Sequence, residues 1–388
     1  MKKIAIFVPY LRESGVCKVA ANQSIMFHRA GYEVDLIVMD DNAVYPYAGN
    51  LVNLNIKSRK GLLKILTYVE LFIKFKKHKN KKHYDIVLSH TPHCDLISAG
   101  LSKNELTIVT VHSDIAKKYS KISQLALRYI VMKATSVVTV SKYTKQQVID
   151  KFPKYAEKIH FIYNNLDLEN IDNQAKEKPP LSSNTRYILS VGRFSHEKGQ
   201  WHLIKVFARL SKIFPKLKLV MIGSGNLEND LKKLVEKLNI SEKVLFEGFQ
   251  SNPYKYMYSA DLLVLPSLHE GFALVLIEAM ACGTTIIATD CAGPREIIAP
   301  SKDIAECLDY NEKFEYGFLL PNFANFDDFH KDILNEGEKL LLFKMGEILK
   351  DPKLLENNNR ERAVYFSEEQ TVKQWKNLFK SLEEKINE

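Results

Sequence analysis

His269-Glu270-Gly271-Phe272-Ala273-Leu274-Val275-Leu276-Ile277-Glu278-Ala279 sets two carboxylates eight residues apart around one glycine and an otherwise apolar run. Upstream, Asp261-Leu-Leu-Val-Leu-Pro-Ser267 reads as a short buried strand ended by Pro266. Downstream, Ala281-Cys282-Gly283 reads as a helix C-terminus with Gly283 in the left-handed position. The order is strand, loop, helix, with Glu270 in the loop and Glu278 in the helix. In an α/β sheet such a loop lies at the carboxyl edge, where ligands bind. The N–H groups of Gly271, Phe272, Ala273 and Leu274 at the helix start suit an anion, while a carboxylate beside them suits sugar hydroxyls. The pairing implies a ligand with a phosphate end and a polyol end. Glu270 alone would signify little, because acids near helix starts also suit the helix dipole. Glu278, set among Leu276, Ile277, Ala279 and Met280, is expected to be buried and to need a partner: a ligand, a core arginine or a backbone N–H.

The surrounding chain repeats this grammar. Strands are expected at Lys3–Pro9, Glu33–Val38, Ile86–Ser89, Leu106–Val111, Ser136–Val140 and Ile159–Ile162, alternating with helical patterns. After a polar, proline-containing stretch at 174–186 the alternation restarts at Tyr187–Val191, Lys218–Ile222, Val244–Glu247, Asp261–Pro266, Thr285–Thr289 and Gly317–Leu320. The expected fold class is α/β: two doubly wound parallel-sheet domains, 1–173 and 187–368, facing across a cleft and joined by a linker at 174–186. The helical stretch 369–385 stands apart from the second sheet and is expected to pack back across the hinge.

Composition narrows the class. The chain has 388 residues, 46% apolar and 26% charged, as in a well-cored protein. No apolar run approaches the ~20 residues that span a bilayer. Lys2-Lys3 before Ile4–Val8 is too short an apolar run for a signal peptide, and Arg12 and Glu13 follow quickly. Five scattered cysteines form no CxxC pair and no metal-ligand spacing with histidine, which points to the cytoplasm. Residues 1–175 hold 26 Lys and Arg against 15 Asp and Glu, so the whole net charge of +9 arises there. Its densest part, Arg59 to Lys82, interleaves lysines with Leu66, Val69, Phe72 and Ile73 as an amphipathic helix would. Such a helix covers a sheet face or makes peripheral contact with an anionic membrane. Nucleic acid is not expected as a partner, since no recognised binding motif accompanies the charge.

Further loops carry cations and glycines. Gly192-Arg193-Phe-Ser-His-Glu-Lys198-Gly199 follows a strand, and its Arg193 and Lys198 can neutralise a diphosphate. Ile222-Gly223-Ser224-Gly225 is a weaker glycine signal, and Cys291-Ala-Gly293-Pro294-Arg295-Glu296 is a turn into a helix start. Pro9-Tyr-Leu-Arg-Glu-Ser-Gly15-Val16 follows the first strand, with Gly15 leaving room for close approach of a ligand.

Together these residues resemble the retaining glycosyltransferases of family 4, which have the GT-B fold. The resemblance runs along nearly the whole chain and is strongest from Val191 to Ile298, through Val191-Gly-Arg193, Glu197-Lys-Gly199, Gly248-Phe249, Glu270-Gly-Phe272 and Glu278-Ala-Met-Ala-Cys-Gly283. It implies that Glu270 faces the donor sugar, that Glu278 holds the ribose hydroxyls and that Arg193 and Lys198 hold the diphosphate. It places Gly223 at the donor, Phe249 with Gly248 and Gln250 near the base, and the loop at Gly15 and Val16 over the donor. His112, in Val109-Thr-Val-His112-Ser-Asp114, matches a family histidine near the transferred sugar. Two departures stand out: Ser14-Gly15 where many relatives have two glycines, and Thr285 where many have proline. The Gly293-Pro294-Arg295-Glu296 form resembles members that build bacterial surface polysaccharides from uridine diphosphate sugars.

The resemblance implies transfer of a hexose or N-acetylhexosamine from a UDP sugar to a glycan or lipid-linked acceptor, giving an α linkage. No Asp-x-Asp pair offers a metal site, so neither a metal nor another cofactor is expected: Arg193, Lys198 and the helix start would stabilise the leaving diphosphate. The expected location is cytoplasmic, with peripheral contact at the inner face of the cell membrane left open. Two rival readings remain open: a nucleotide-sugar epimerase of the same fold and a non-catalytic sensor of sugar nucleotides. A dinucleotide dehydrogenase fits less well, because neither half carries Gly-x-Gly-x-x-Gly after a strand.

Overall fold

The structure, a computed structural model, describes residues 1–112, 121–182, 184–303, 305–323, 329, 331–355 and 358–387. Ser113 and Asp114, quoted above with His112, lie outside the described residues, as does Ser183 of the 174–186 stretch. Thirteen described strands run β1 (Lys3–Phe7), β2 (Glu33–Val38), β3 (Asn50–Asn53), β4 (Ile86–Ser89), β5 (Leu106–Val111), β6 (Ser136–Thr139), β7 (Ile159–Phe161), β8 (Tyr187–Val191), β9 (Lys218–Ile222), β10 (Val244–Gly248), β11 (Leu262–Leu265), β12 (Ile286–Thr289) and β13 (Phe318–Leu320). The described helices are α1 (Gly15–Arg29), α2 (Lys64–Lys82), α3 (Pro92–Gly100), α4 (Lys121–Lys133), α5 (Lys142–Lys151), α6 (Leu168–Ala175), α7 (Gln200–Ile213), α8 (Glu228–Lys237), α9 (Tyr254–Ser259), α10 (Leu274–Ala281), α11 (Ala292–Ile298), α12 (Glu336–Lys350), α13 (Asn359–Val364) and α14 (Glu368–Asn387).

Two compact units result: 1–165 with 367–388, and 166–366. The first holds a seven-stranded sheet in the order β3-β2-β1-β4-β5-β6-β7, and the second a six-stranded sheet in the order β10-β9-β8-β11-β12-β13. The paired strands of both sheets run parallel. The strand order reverses between β1 and β4 and again between β8 and β11, as it does in Rossmann-like sheets.

In the first unit the alternation of β1 explains both helical layers. Ile4 and Ile6 face one side, against Ala20 and Phe27 of α1 and Trp375 and Phe379 of α14. Ala5 and Phe7 face the other, against Leu71 and Phe75 of α2 and Cys94 and Ile97 of α3. Phe7 stacks on Phe75 with ring centroids 4.1 Å apart. A side chain as fully buried as Phe75 is worth about 1.5–3 kcal/mol. In the second unit Trp201 and Phe207 of α7 pack with Met221 of β9 and with Leu341 and Met345 of α12.

A fully buried ionic cluster joins those two helices. Lys205 Nζ donates to both carboxylate oxygens of Glu338, at 2.8 and 3.0 Å, and His202 Nδ1 lies 2.7 Å from Glu338 Oε1. Burial alone would raise the Glu338 pKa, but the bonds from His202, Lys205 and the Asn335 N–H outweigh it and lower the pKa.

The strand reading of the sequence holds to within about two residues at every strand end. It omits β3, whose Asn-Leu-Val-Asn has no apolar run because the strand sits at an edge and is partly exposed. The 174–186 stretch lies inside the second unit. There α6 packs on α9 and α10, and Asn252 Nδ2 donates to Gln174 O at 3.0 Å. The chain passes between the units at 165/166 and 366/367, where Leu166 N–H donates to Phe366 O at 2.8 Å.

Candidate functional site

In the second unit β8 and β11 are central, hydrogen-bonded neighbours at the point where the strand order reverses. The loops at their carboxyl ends lie against each other. Leu268 N–H and His269 N–H both donate to Glu197 O, at 2.8 and 3.4 Å. Gly199, at φ +60, brings its Cα so near the carbonyl of Pro266 that a Cβ would lie 2.3 Å from that oxygen. Only glycine lets the 196–198 turn rest there.

That contact sets the charged groups. Lys198 Nζ lies 2.5 Å from Glu270 Oε1, which also accepts from Ser267 Oγ at 2.8 Å. Both ends of the pair are shielded, with 22% of the Lys198 side chain and 9% of the Glu270 side chain exposed. Arg193 on the same loop differs. Its backbone is pinned, since Gln200 Nε2 donates to its carbonyl at 2.9 Å, while its exposed guanidinium has no hydrogen bond or ion pair among the described residues. A fixed base with an uncommitted planar fork suits a phosphate.

Helix α10 begins at Leu274, with Ala273 as its N-cap and no side-chain hydrogen bond from that cap. Gly271, Phe272 and Ala273 therefore lie in the loop, where the sequence reading had the helix already starting. Glu278 sits in the second turn and is 4% exposed. Gly283 follows the helix at φ +75.

The glycines of Ile222-Gly223-Ser224-Gly225 have a packing role of their own. A Cβ on Gly223 would lie 2.0 Å from the Gly192 carbonyl, and one on Gly225 would lie 2.2 Å from that of Phe194. The loops after β8 and β9 thus need glycine simply to lie together. Phe249 follows β10 and is half-buried. Arg295 is structural: its guanidinium binds Asp290 through two nitrogens and the carbonyls of Asp303 and Glu306 at 2.8 and 2.7 Å. Tyr310 donates to the same Asp290 at 2.8 Å, and burial with that bond pushes its pKa up to about 12.

In the first unit Gly15 opens α1, and Ser14 Oγ caps the helix by accepting from Cys17 N–H at 3.2 Å. A Cβ on Gly15 would meet no protein atom within 4 Å, so packing within the protein does not demand glycine there. Val16 beside it is half-buried. His112 follows β5 directly, and its Nε2 lies 3.0 Å from Nδ1 of His90, which directly follows the neighbouring β4.

Sequence reasoning quoted Ser267 without giving it a role and did not name His90. Ser267 closes the quoted strand and stands three residues before Glu270. His90 directly follows the short strand Ile86–Ser89, as His112 follows its own strand. Equivalent ends of adjacent parallel strands were the available signal.

Similarity to known proteins bears on the family and the fold. A model described as Glycosyltransferase Family 4 matches residues 14–170, and one described as Glycosyl transferases group 1 matches residues 172–334. The chain is 32% identical over 310 residues to an N-acetylgalactosamine-N,N'-diacetylbacillosaminyl-diphospho-undecaprenol 4-alpha-N-acetylgalactosaminyltransferase of Campylobacter jejuni, covering 76% of this chain and 83% of that protein. It is 33% identical over 273 residues to an uncharacterized glycosyltransferase of Methanocaldococcus jannaschii, covering 67% of each. Sucrose-phosphate synthase from Thermosynechococcus elongatus superposes with a TM-score of 0.78 at 20% identity, over 98% of this chain and 99% of that one. Anabaena HepE in complex with UDP-glucose gives 0.75 at 18% identity, over 98% and 100%. The two sheets, the two adjoining family matches and these relatives agree: the chain belongs to the family 4 glycosyltransferases and has the GT-B fold.

Proposed function

We propose that the protein transfers a hexose or N-acetylhexosamine from a UDP sugar to a glycan or lipid-linked acceptor, retaining the α configuration and needing no metal ion. The observation that carries the reading is the Lys198–Glu270–Ser267 cluster, together with Arg193 on the same loop, whose exposed guanidinium has no hydrogen bond or ion pair among the described residues. It puts two cations and an oriented carboxylate at the carboxyl ends of β8 and β11. Arg193 and Lys198 take the diphosphate as the glycosidic bond breaks, so fixed charges do the work a metal does elsewhere. Glu270 faces the sugar, and Glu278 takes the ribose hydroxyls. Gly15 and Val16 approach the donor, Gly223 and Phe249 lie near its nucleotide, and Gly271 to Leu274 supply N–H groups to its phosphates. No protein nucleophile is needed if the acceptor attacks the face the diphosphate leaves and a leaving phosphate oxygen takes the proton. The name of the Campylobacter jejuni relative describes α transfer of N-acetylgalactosamine to a diphospho-undecaprenol glycan, which supports an N-acetylhexosamine as the transferred sugar and a lipid-linked acceptor. The test is incubation with UDP-N-acetylgalactosamine and an undecaprenyl-diphosphate-linked glycan in EDTA, with the product read by NMR. An α-linked product supports the reading; a β product, or activity lost in EDTA and restored by Mg²⁺, overturns it.

Helix α2 supports a membrane-linked acceptor. Thr67, Leu71 and Phe75 are buried, while Ile65, Leu66, Val69, Phe72 and Ile73 are between 37% and 65% exposed. Their spacing places these five on one helix face. Lys60, Lys64, Lys76 and Lys77 accompany them, and each basic residue near an anionic surface is worth about 1 kcal/mol. Among the described residues no helix is long and apolar enough to cross a membrane, so the contact proposed is peripheral, at the inner face of the cell membrane. Flotation with phosphatidylglycerol vesicles at low salt tests it. Binding lost in Ile65→Asp/Ile73→Asp supports the contact, and indifference of the wild type to the vesicles removes it.

A further inference from the structure

Glu270 stands on an irregular loop, yet the backbone just before it is held at successive polar groups. Ser267 O accepts from the Thr289 hydroxyl and from the Cys291 thiol, whose Sγ lies 3.1 Å away. Leu268 N–H and His269 N–H donate to Glu197 O, as described above. Leu268 O accepts from Asn322 Nδ2 at 2.9 Å and from no other group among the described residues. Asn322 Nδ2 also lies 3.1 Å from Cys291 Sγ, so the two side chains reach the loop as one linked pair.

These donors come from the next two strands of the sheet. Thr289 ends β12, Cys291 stands just before α11, and Asn322 lies two residues after β13. Because β12 pairs in parallel with β11, its carboxyl end lies beside the chain that leads into Ser267. Ser267, Leu268, Thr289 and Cys291 are all buried. The same turn backs the loop beyond Glu270 as well. A Cβ on Gly293 would lie 2.7 Å from Phe272 Cα and 3.0 Å from Gly271 O. A buried loop without a strand ladder keeps one conformation only when its carbonyls find other donors. Here a thiol, a hydroxyl and one amide supply them.

We propose that Asn322 and Cys291 are positioning residues for the transfer: by holding the carbonyls of Leu268 and Ser267 they keep Ser267 Oγ aimed at Glu270 and so fix the direction of that carboxylate. The role rests on the reading of Glu270 as facing the donor sugar. Neither side chain has to touch donor or acceptor. Without the Asn322 amide the Leu268 peptide is free to rotate, and the 2.8 Å bond from Ser267 Oγ to Glu270 Oε1 loses its fixed base. Lys198 still pairs with the carboxylate, which is therefore retained but no longer aimed. The loss falls on kcat and not on nucleotide binding.

The experiment is a double-mutant cycle of Asn322→Leu with Glu270→Ala in the full-length protein. It is read by kcat and KM for UDP-N-acetylgalactosamine, with UDP affinity from calorimetry. A small misplacement of a reacting group costs up to about a hundredfold, so Asn322→Leu should lose about tenfold or more in kcat while UDP affinity stays within about twofold. In the Glu270→Ala background the same substitution should cost nothing further, because the group it positions is gone. Cys291→Ala removes the donor to Ser267 O and the acceptor for Asn322, and should lower kcat a few fold in the same manner. Cys291→Ser supplies a hydroxyl that can take both parts and should restore it. An equal loss from Asn322→Leu with and without Glu270, or a loss of UDP affinity that matches the loss of kcat, overturns the positioning role and leaves the reading of Glu270 in place. Wild-type kcat in Glu270→Ala overturns that reading and the positioning role with it. If Asn322→Leu does not fold, or Glu270→Ala turns over too slowly to measure, the Cys291 pair decides: equal kcat in Cys291→Ala and Cys291→Ser overturns the proposal.

Discussion

Lys198 and Glu270, 72 residues apart in the chain, meet at 2.5 Å because the loops after β8 and β11 are tied together by backbone bonds to Glu197 and by the glycine-only contact at Pro266. The carboxylate thereby has two partners, Lys198 and Ser267, that hold it in one orientation. A cation that already has a carboxylate partner can still accept a diphosphate, whose larger negative charge competes for the same ammonium.

Glu270→Ala removes the oriented carboxylate and frees Lys198 for phosphate. Turnover should fall by about 10² or more, the scale of one preorganised electrostatic contact, while UDP affinity stays within a few fold of wild type. Steady-state kinetics with parallel calorimetry of UDP binding checks it. A fall in kcat matched by an equal loss of UDP affinity would show that Glu270 serves the nucleotide instead.

Glu278→Ala should do the reverse. Losing one charge-assisted hydrogen bond of about 1.5–3 kcal/mol weakens UDP binding roughly 10- to 100-fold. Calorimetry with UDP and with deoxyuridine diphosphate separates the causes, because wild type should prefer the ribonucleotide and the variant should not. Equal UDP affinity in the two proteins would remove the ribose assignment.

Arg193→Lys tests the fork geometry. The exposed guanidinium has no partner among the described residues, so neither Arg193→Ala nor Arg193→Lys should move Tm appreciably. Both should weaken UDP binding by about tenfold, since a lysine keeps the charge but cannot bind bidentately. Full recovery of affinity in Arg193→Lys would show that charge alone matters.

The fold and most of the charged residues of the candidate site are local patterns that can be read along the chain. Short, mostly apolar runs such as Ile86–Ser89 and Leu262–Leu265 read as buried parallel strands, and the loops after them hold the candidate site residues. The Lys198–Glu270 pair was not legible, because it depends on which strands become neighbours and on Gly199 lying against Pro266. The same holds for Arg295. On paper it is one more cation near a helix start; in the fold it is spent on Asp290 and two carbonyls. His90 was missed for a third reason: its partner comes from the next strand over, so no spacing along the chain marks it.

Asp95 gives a pH prediction independent of the site. Burial pushes its carboxyl up to about 8, against the hydrogen bond from Ser89 Oγ at 2.6 Å. A raised folded pKa means that the folded protein keeps a proton the unfolded chain has released. The stability this contributes is complete below the unfolded value of 3.8 and is lost as pH rises to about 8. At roughly 1.4 kcal/mol per unit the ceiling is about 6 kcal/mol. Asp95→Asn keeps an acceptor for Ser89 and removes the titration, so its Tm relative to wild type should climb between pH 5 and pH 8. Parallel Tm curves for the two proteins would contradict the assignment.

The donor site is the centre of this account, and a thermal-shift panel in EDTA tests it most directly. Uridine, guanosine and adenosine diphosphate sugars would be compared on wild type and on Glu278→Ala. A ligand at a hundred times its dissociation constant stabilises by about 2.7 kcal/mol, a shift of a few degrees. The predicted result is a shift of the wild type by a uridine diphosphate sugar alone, without metal, and a smaller shift in Glu278→Ala. No shift with any uridine sugar, or one that appears only when Mg²⁺ is restored, would contradict it.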